Sequence, residues 1–154
     1  MNRIASLLPI ENVLADLDVV SKKRVFEQVG LLFENHGGLG RALIYDSLFA
    51  RERLGSTGLG QGVAIPHGRI KGLKDARGAF VRTKVPIPFE APDGRPVSQI
   101  FVLLVPEDAT EVHLEILSEL AQMFSEKSFR DRLAAAPDAA AVHAIFAAWP
   151  NAPA

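Results

Sequence analysis

The sequence predicts an α/β fold: a single domain with a mixed, mostly central β-sheet flanked by α-helices. Three observations carry that expectation. Helical periodicity fills both ends of the chain, strand-length apolar runs occupy the middle, and segments rich in glycine and proline separate them. At 154 residues the chain fits one domain, with its core expected over about residues 5–148. A chain of that length buries roughly 70% of the surface its unfolded form exposes.

Taken in order, Val13, Ala15 and Leu17 alternate with Leu14 and Asp16 and read as a strand. Ser21 then precedes Val25, Phe26, Val29, Leu32 and Phe33, which share one helical face, and Gly37-Gly38 ends that helix. The pairs Ile44/Leu48 and Tyr45/Phe49 define a second helix over about residues 41–53, stopped by Gly55. Five of the twelve glycines fall between Gly55 and Gly68, a loop interrupted by Val63-Ala64-Ile65, a short buried-strand candidate. Residues 79–85 and 99–105 are stronger strands, the second nearly all apolar and therefore central. Pro86, Pro88, Pro92, Asp93-Gly94 and Pro96 make the connection between them rich in turns. Asp108, with Glu111 three residues on, forms a capping-box-like start to a helix carrying Leu114, Leu117, Leu120, Ala121 and Phe124. A short helix over about residues 128–136 follows, and Asp138 caps a last alanine-rich one ending before Pro150.

Composition excludes more than it selects. The absence of cysteine removes disulfides, thiolate zinc sites, iron–sulfur ligation and a thiol nucleophile. Seventeen basic against 18 acidic side chains leave a net charge of −1, which argues against a broad nucleic-acid or anionic-membrane footprint. No run approaches the ~20 apolar residues that membrane insertion requires. The short apolar stretch after Arg3 is broken by Pro9, Glu11, Asn12 and Asp16, so it does not read as a targeting signal, and the expected compartment is the cytoplasm.

Chemistry centres on the glycine loop. Gly55 to Gly60 has P-loop spacing, but Gln61-Gly62 stands where Lys-Ser/Thr must be. Gly58, Gly60 and Gly62 resemble half a dinucleotide fingerprint, yet they follow a helix and feed a strand, the reverse of the required order. Both readings fail. Backbone N–H groups of such a loop still suit an anion.

The segment from Glu52 to Gly68 carries a more specific pattern: an acidic or amide residue, six positions, an apolar residue, Gly, two positions, then apolar-Ala-apolar-Pro-His-Gly. Glu52, Leu59, Gly60, Val63, Ala64, Ile65, Pro66, His67 and Gly68 fill every slot. In this the sequence resembles the enzyme IIA domains of the mannitol/fructose class (type 2) of the bacterial phosphoenolpyruvate:sugar phosphotransferase system. The likeness runs from Pro9-Ile10-Glu11 to the C-terminal helices. The Gly-Ser-Thr-Gly-Leu-Gly run and the single-domain length look most like the nitrogen-regulatory branch.

The resemblance implies a phosphotransferase component with the mannitol/fructose-type IIA fold, needing no cofactor and no metal. His67 inherits the role of phosphoryl acceptor, with a small histidine phosphocarrier protein, nitrogen- or sugar-type, as donor. Arg51 and His113 match the arginine and second histidine of the family's site, and the resemblance points to Nε2 as the modified nitrogen. Regulated targets such as transporters or sensor kinases would be the further partners; nucleic acid is not among them.

Elementary chemistry agrees with these assignments. A neutral imidazole offers a lone-pair nitrogen, and phosphoryl transfer asks mainly for positioning and charge stabilisation. Arg51 supplies a two-pronged donor. Ser56, Thr57, Gly58, Gly60 and Gly62 are candidate phosphate contacts, although the hydroxyls equally serve to cap the loop and the glycines to tighten it. A docking surface studded with Leu and Phe is expected around His67. His36 and His143 read as structural. Two rivals stand beside the regulatory reading: a sugar-specific IIA subunit feeding a fructose- or mannitol-type permease, and a non-catalytic module in which His67 and His113 bind a divalent metal or organise an interface.

Overall fold

The computed structural model describes residues 2–109 and 111–150. In chain order its elements are helix α1 (Arg3–Ser6), a 3-10 turn (Ile10–Asn12), strand β1 (Val13–Leu17) and helices α2 (Lys22–Gly37) and α3 (Arg41–Glu52). Strands β2 (Gly58–Gly60), β3 (Val63–Ala64), β4 (His67–Ile70), β5 (Arg77–Ile87) and β6 (Val97–Pro106) follow. Helices α4 (Glu111–Ser125), α5 (Lys127–Ala135) and α6 (Ala139–Ala147) complete the regular structure of the described residues.

All six strands form one mixed sheet centred on β6. On one side β6 pairs antiparallel with β5, which pairs parallel with β1. On its other side β6 receives β3 and β4 in tandem, both parallel, and β2 folds back on β3 as a hairpin. Pro66 separates β3 from β4. Proline has no N–H to give a ladder, so the edge is interrupted there, although the Pro66 carbonyl still accepts from Leu103 N–H at 2.9 Å.

Strand alternation distributes the core to both faces. Ala79, Val81, Ile100, Val102 and Leu104 pack with Val25, Phe26, Val29, Phe33, Ile44 and Leu48 of α2 and α3. Phe80, Phe101, Leu103 and Val105 pack with Ile116, Leu120 and Phe124 of α4, Phe129 and Leu133 of α5, and Phe146 of α6. Phe146 is fully buried, with its ring centroid 5.1 Å from Phe80 and 5.4 Å from Phe129. Complete burial of one such side chain is worth about 1.5–3 kcal/mol, so this aromatic cluster anchors the helical layer.

Most expected elements stand where the sequence puts them, and the caps explain why. Ser21 accepts the Arg24 N–H, Asp138 accepts the Ala141 N–H, and Gly38 closes α2 in the left-handed conformation. Four details differ. His67 lies at the start of a strand, β4, rather than in an irregular loop. The glycine run contributes β2. Strand β5 extends through Pro86 to Ile87, which its irregular register with β6 beyond Arg82 accommodates. Helix α4 begins at Glu111, so Asp108 sits in the preceding turn; the cap position, residue 110, lies outside the described residues.

Candidate functional site

His67 opens β4 half-buried, with its ring turned back on its own chain. Nδ1 lies 3.0 Å from the Ile65 carbonyl oxygen. A carbonyl can only accept, so Nδ1 carries the proton and Nε2 keeps the free lone pair. That carbonyl is available because the break at Pro66 turns it out of the ladder.

His113, the third residue of α4, is only 8% exposed, and neither ring nitrogen has a hydrogen-bond partner among the described residues. Its ring centroid is 5.3 Å from that of His67, with the planes at 61°. Burial is the largest cause holding His67 below the ordinary imidazole pKa; Arg51 and Arg69 add to it, while the Ile65 carbonyl and Glu52 oppose it. His113 is lowered by burial first, then by His67 and Arg69. Both rings are therefore neutral at pH 7.

Arg51 comes from the last turn of α3, where its Nη1 donates to the Gly55 carbonyl at 2.8 Å and closes the helix end. Two grooves meet at His67 and Arg51. One, of about 650 Å³, runs along Leu43, Ser47 and Leu54 to Arg69 and His113. The other, of about 340 Å³, is walled by Thr57, Gly58, Leu59, Leu117 and Ser118. Helix α3 comes close to β4 because Gly68 has no side chain. A Cβ there would collide with the Ser47 hydroxyl and stand 3.2 Å from its Cβ.

Three residues separated by 16 (67−51) and 46 (113−67) positions thus share one groove. The loop candidates divide. Ser56, Thr57 and Gly58 line the second groove, but their polar groups are engaged within the protein. The Ser56 hydroxyl donates to Phe89 O at 2.7 Å and accepts the Gly58 N–H, while the Thr57 N–H and hydroxyl both donate to Glu52. Gly60 and Gly62 line neither groove. They flank Gln61 at the tip of the β2–β3 hairpin, where Gln61 N–H donates to Asp93 at 2.9 Å.

Sequence reasoning did not give roles to Glu52, Arg69 or the groove face of α3. Arg69 is exposed and donates to the Glu107 carbonyl at 2.8 Å, tying β4 to the turn before α4. Its signal was its place directly after the Pro-His-Gly step. The α3 face was readable as Leu43, Ser47, Ala50 and Leu54 at helical spacing. Leu54, 83% exposed, joins Leu43, Leu59 and Leu117 along the two grooves, so the site's surround is leucine-rich.

The family described as "Phosphoenolpyruvate-dependent sugar phosphotransferase system, EIIA 2" matches residues 6–149, and the chain belongs to that family. Its relatives include a nitrogen regulatory protein of Pseudomonas aeruginosa, 43% identical over 146 residues that cover 94% of this chain and 95% of that one. The crystal structure of the nitrogen regulatory protein IIA-Ntr from Neisseria meningitidis superposes with a TM-score of 0.89 at 56% identity, covering 94% of this chain and 99% of that one. The IIA mannitol structure from Escherichia coli, 18% identical with a TM-score of 0.73, covers 89% of this chain and 96% of that one and shares the fold. Among the described residues no helix is long and apolar enough to cross a membrane, and no group of three or more His, Cys, Asp or Glu is placed to hold a metal ion.

Proposed function

We propose that this chain is a regulatory phosphocarrier in which His67 accepts a phosphoryl group from the phosphohistidine of a small carrier protein. The observation that carries the proposal is the Nδ1–H bond to Ile65, which leaves Nε2 as a neutral nucleophile beside Arg51. In the step, the Nε2 lone pair attacks phosphorus. A new P–N bond forms as the donor's P–N bond breaks, and the donor imidazole leaves with the electron pair. Each ring keeps its other proton, so no net proton moves. Arg51 meets the phosphoryl oxygens after releasing the Gly55 carbonyl, and His113 turns an N–H toward them.

The phosphorylation state of His67 then governs binding to regulated proteins, such as transporters or sensor kinases. The nitrogen regulatory names of the relatives support this reading over a sugar-permease role. In the test, protein is incubated with phosphoenolpyruvate, the general phosphotransferase enzyme and either a nitrogen-type or a sugar-type carrier. An acid-labile phosphoryl adduct is expected on wild type and absent from His67→Ala. An adduct persisting in that variant rejects His67 as acceptor.

A further inference from the structure

Resting on that reading, we propose that Glu52 is a positioning residue for His67, acting through Thr57 and Ile65 to hold the imidazole in its Nδ1–H form. Glu52 ends α3 with a side chain only 4% exposed. Its carboxylate accepts the Thr57 N–H at 3.0 Å and the Thr57 hydroxyl at 2.7 Å. The Thr57 carbonyl accepts the Ile65 N–H at 3.0 Å, and the Ile65 carbonyl accepts the His67 Nδ1–H at 3.0 Å. An unbroken run of bonds leads from a buried carboxylate to the acceptor ring.

The run matters because Ile65 stands where the sheet edge is interrupted. With Pro66 next to it, the ladder does little to orient the Ile65 carbonyl, and Thr57 supplies the missing hold. Thr57 in turn lies in a loop whose other anchors, Ser56 to Phe89 and Gly58 to Ser56, leave its own N–H and hydroxyl to Glu52 alone. Lys22 of α2 completes the carboxylate at 2.9 Å while sitting 4.5 Å from the Phe89 ring centre. A buried carboxylate with a cation and two donors is satisfied. Its loss leaves the Thr57 donors unpaired and the loop free to turn. The acidic or amide slot of the signature thereby acquires a reason, since either residue type offers Thr57 an acceptor oxygen.

Imidazole ¹⁵N shifts of His67, recorded on unphosphorylated protein at about pH 8.5, report the tautomer without any donor. Wild type and Glu52→Gln are expected to hold the Nδ1–H form, whereas Glu52→Ala shows mixed tautomers. Phosphoryl uptake by Glu52→Ala falls about tenfold or more, the usual scale for loss of an orienting partner, and Glu52→Gln recovers most of it. If Glu52→Ala does not fold, Thr57→Val, which removes only the hydroxyl, is expected to show partial mixing. An unchanged tautomer in the folded variant overturns the proposal, as does a mixed tautomer in wild type. Failure of wild type to accept phosphate rejects the functional reading instead and leaves the tautomer result standing.

Discussion

His67 and His113 are held neutral mainly by burial; Arg69 acts in the same direction on both and Arg51 on His67. A group whose folded pKa lies below its unfolded value binds fewer protons when folded, so stability rises with pH between the two values. The stability owed to neutral rings is fully present above the unfolded value of about 6.5 and is lost as pH falls through it toward the folded values. The urea midpoint is therefore expected to drop between about pH 7.5 and 5.5, less steeply in His67→Gln. Phosphoryl uptake is expected to follow the same ring, and its rate should fall by less than half at about pH 6.5, where a free imidazole is half protonated. A rate already halved there contradicts the perturbed acceptor.

Among the elements, the contact between α3 and β4 brings Arg51 to His67, and Gly68 sets its distance. Gly68→Val places atoms where Ser47 now lies and forces the helix away from the strand. Overpacking of this kind costs about 1–3 kcal/mol, to be read from urea unfolding. The same displacement draws Arg51 from His67, so uptake should fall more in Gly68→Val than in Gly68→Ala.

Element by element, legibility followed the strength of local signals. Helices α2 and α6 announced themselves through their caps, α3 through its i, i+4 apolar pairs, and β6 through an apolar run only a central strand needs. Strands β2 and β4 did not, because Gly-Leu-Gly and His-Gly-Arg-Ile form strands by pairing with neighbours rather than by propensity. At the site, the signature pointed to His67, and the family pattern to Arg51 and His113. Gly60 and Gly62 read as candidate anion donors because glycine marks an unusual backbone without saying which groove, if any, it lines. Glu52 stayed silent because its partner Thr57 is visible only after the loop closes.

Across the whole molecule, half-buried His67 lies among exposed leucines on a chain of net charge −1. On the proposed function, a phosphoryl group on His67 takes that charge toward about −3 and places the new anion where the leucines converge. A partner that covers the leucines must strip water from this anion in one state and not in the other, which gives the switch an energetic basis. Leu54 is the most exposed of the group and makes the cleanest probe. Leu54→Asp should leave stability within about 0.5 kcal/mol, because the side chain is solvated. If the leucines dock the donor, losing an apolar contact near the acceptor costs more than about 1 kcal/mol of binding, a rise of roughly fivefold or more in the apparent KM for the phosphorylated carrier. The turnover of bound carrier should change less than about threefold, since no group touching phosphorus is altered. An unchanged KM with unchanged turnover places the docking surface elsewhere and leaves the acceptor chemistry intact.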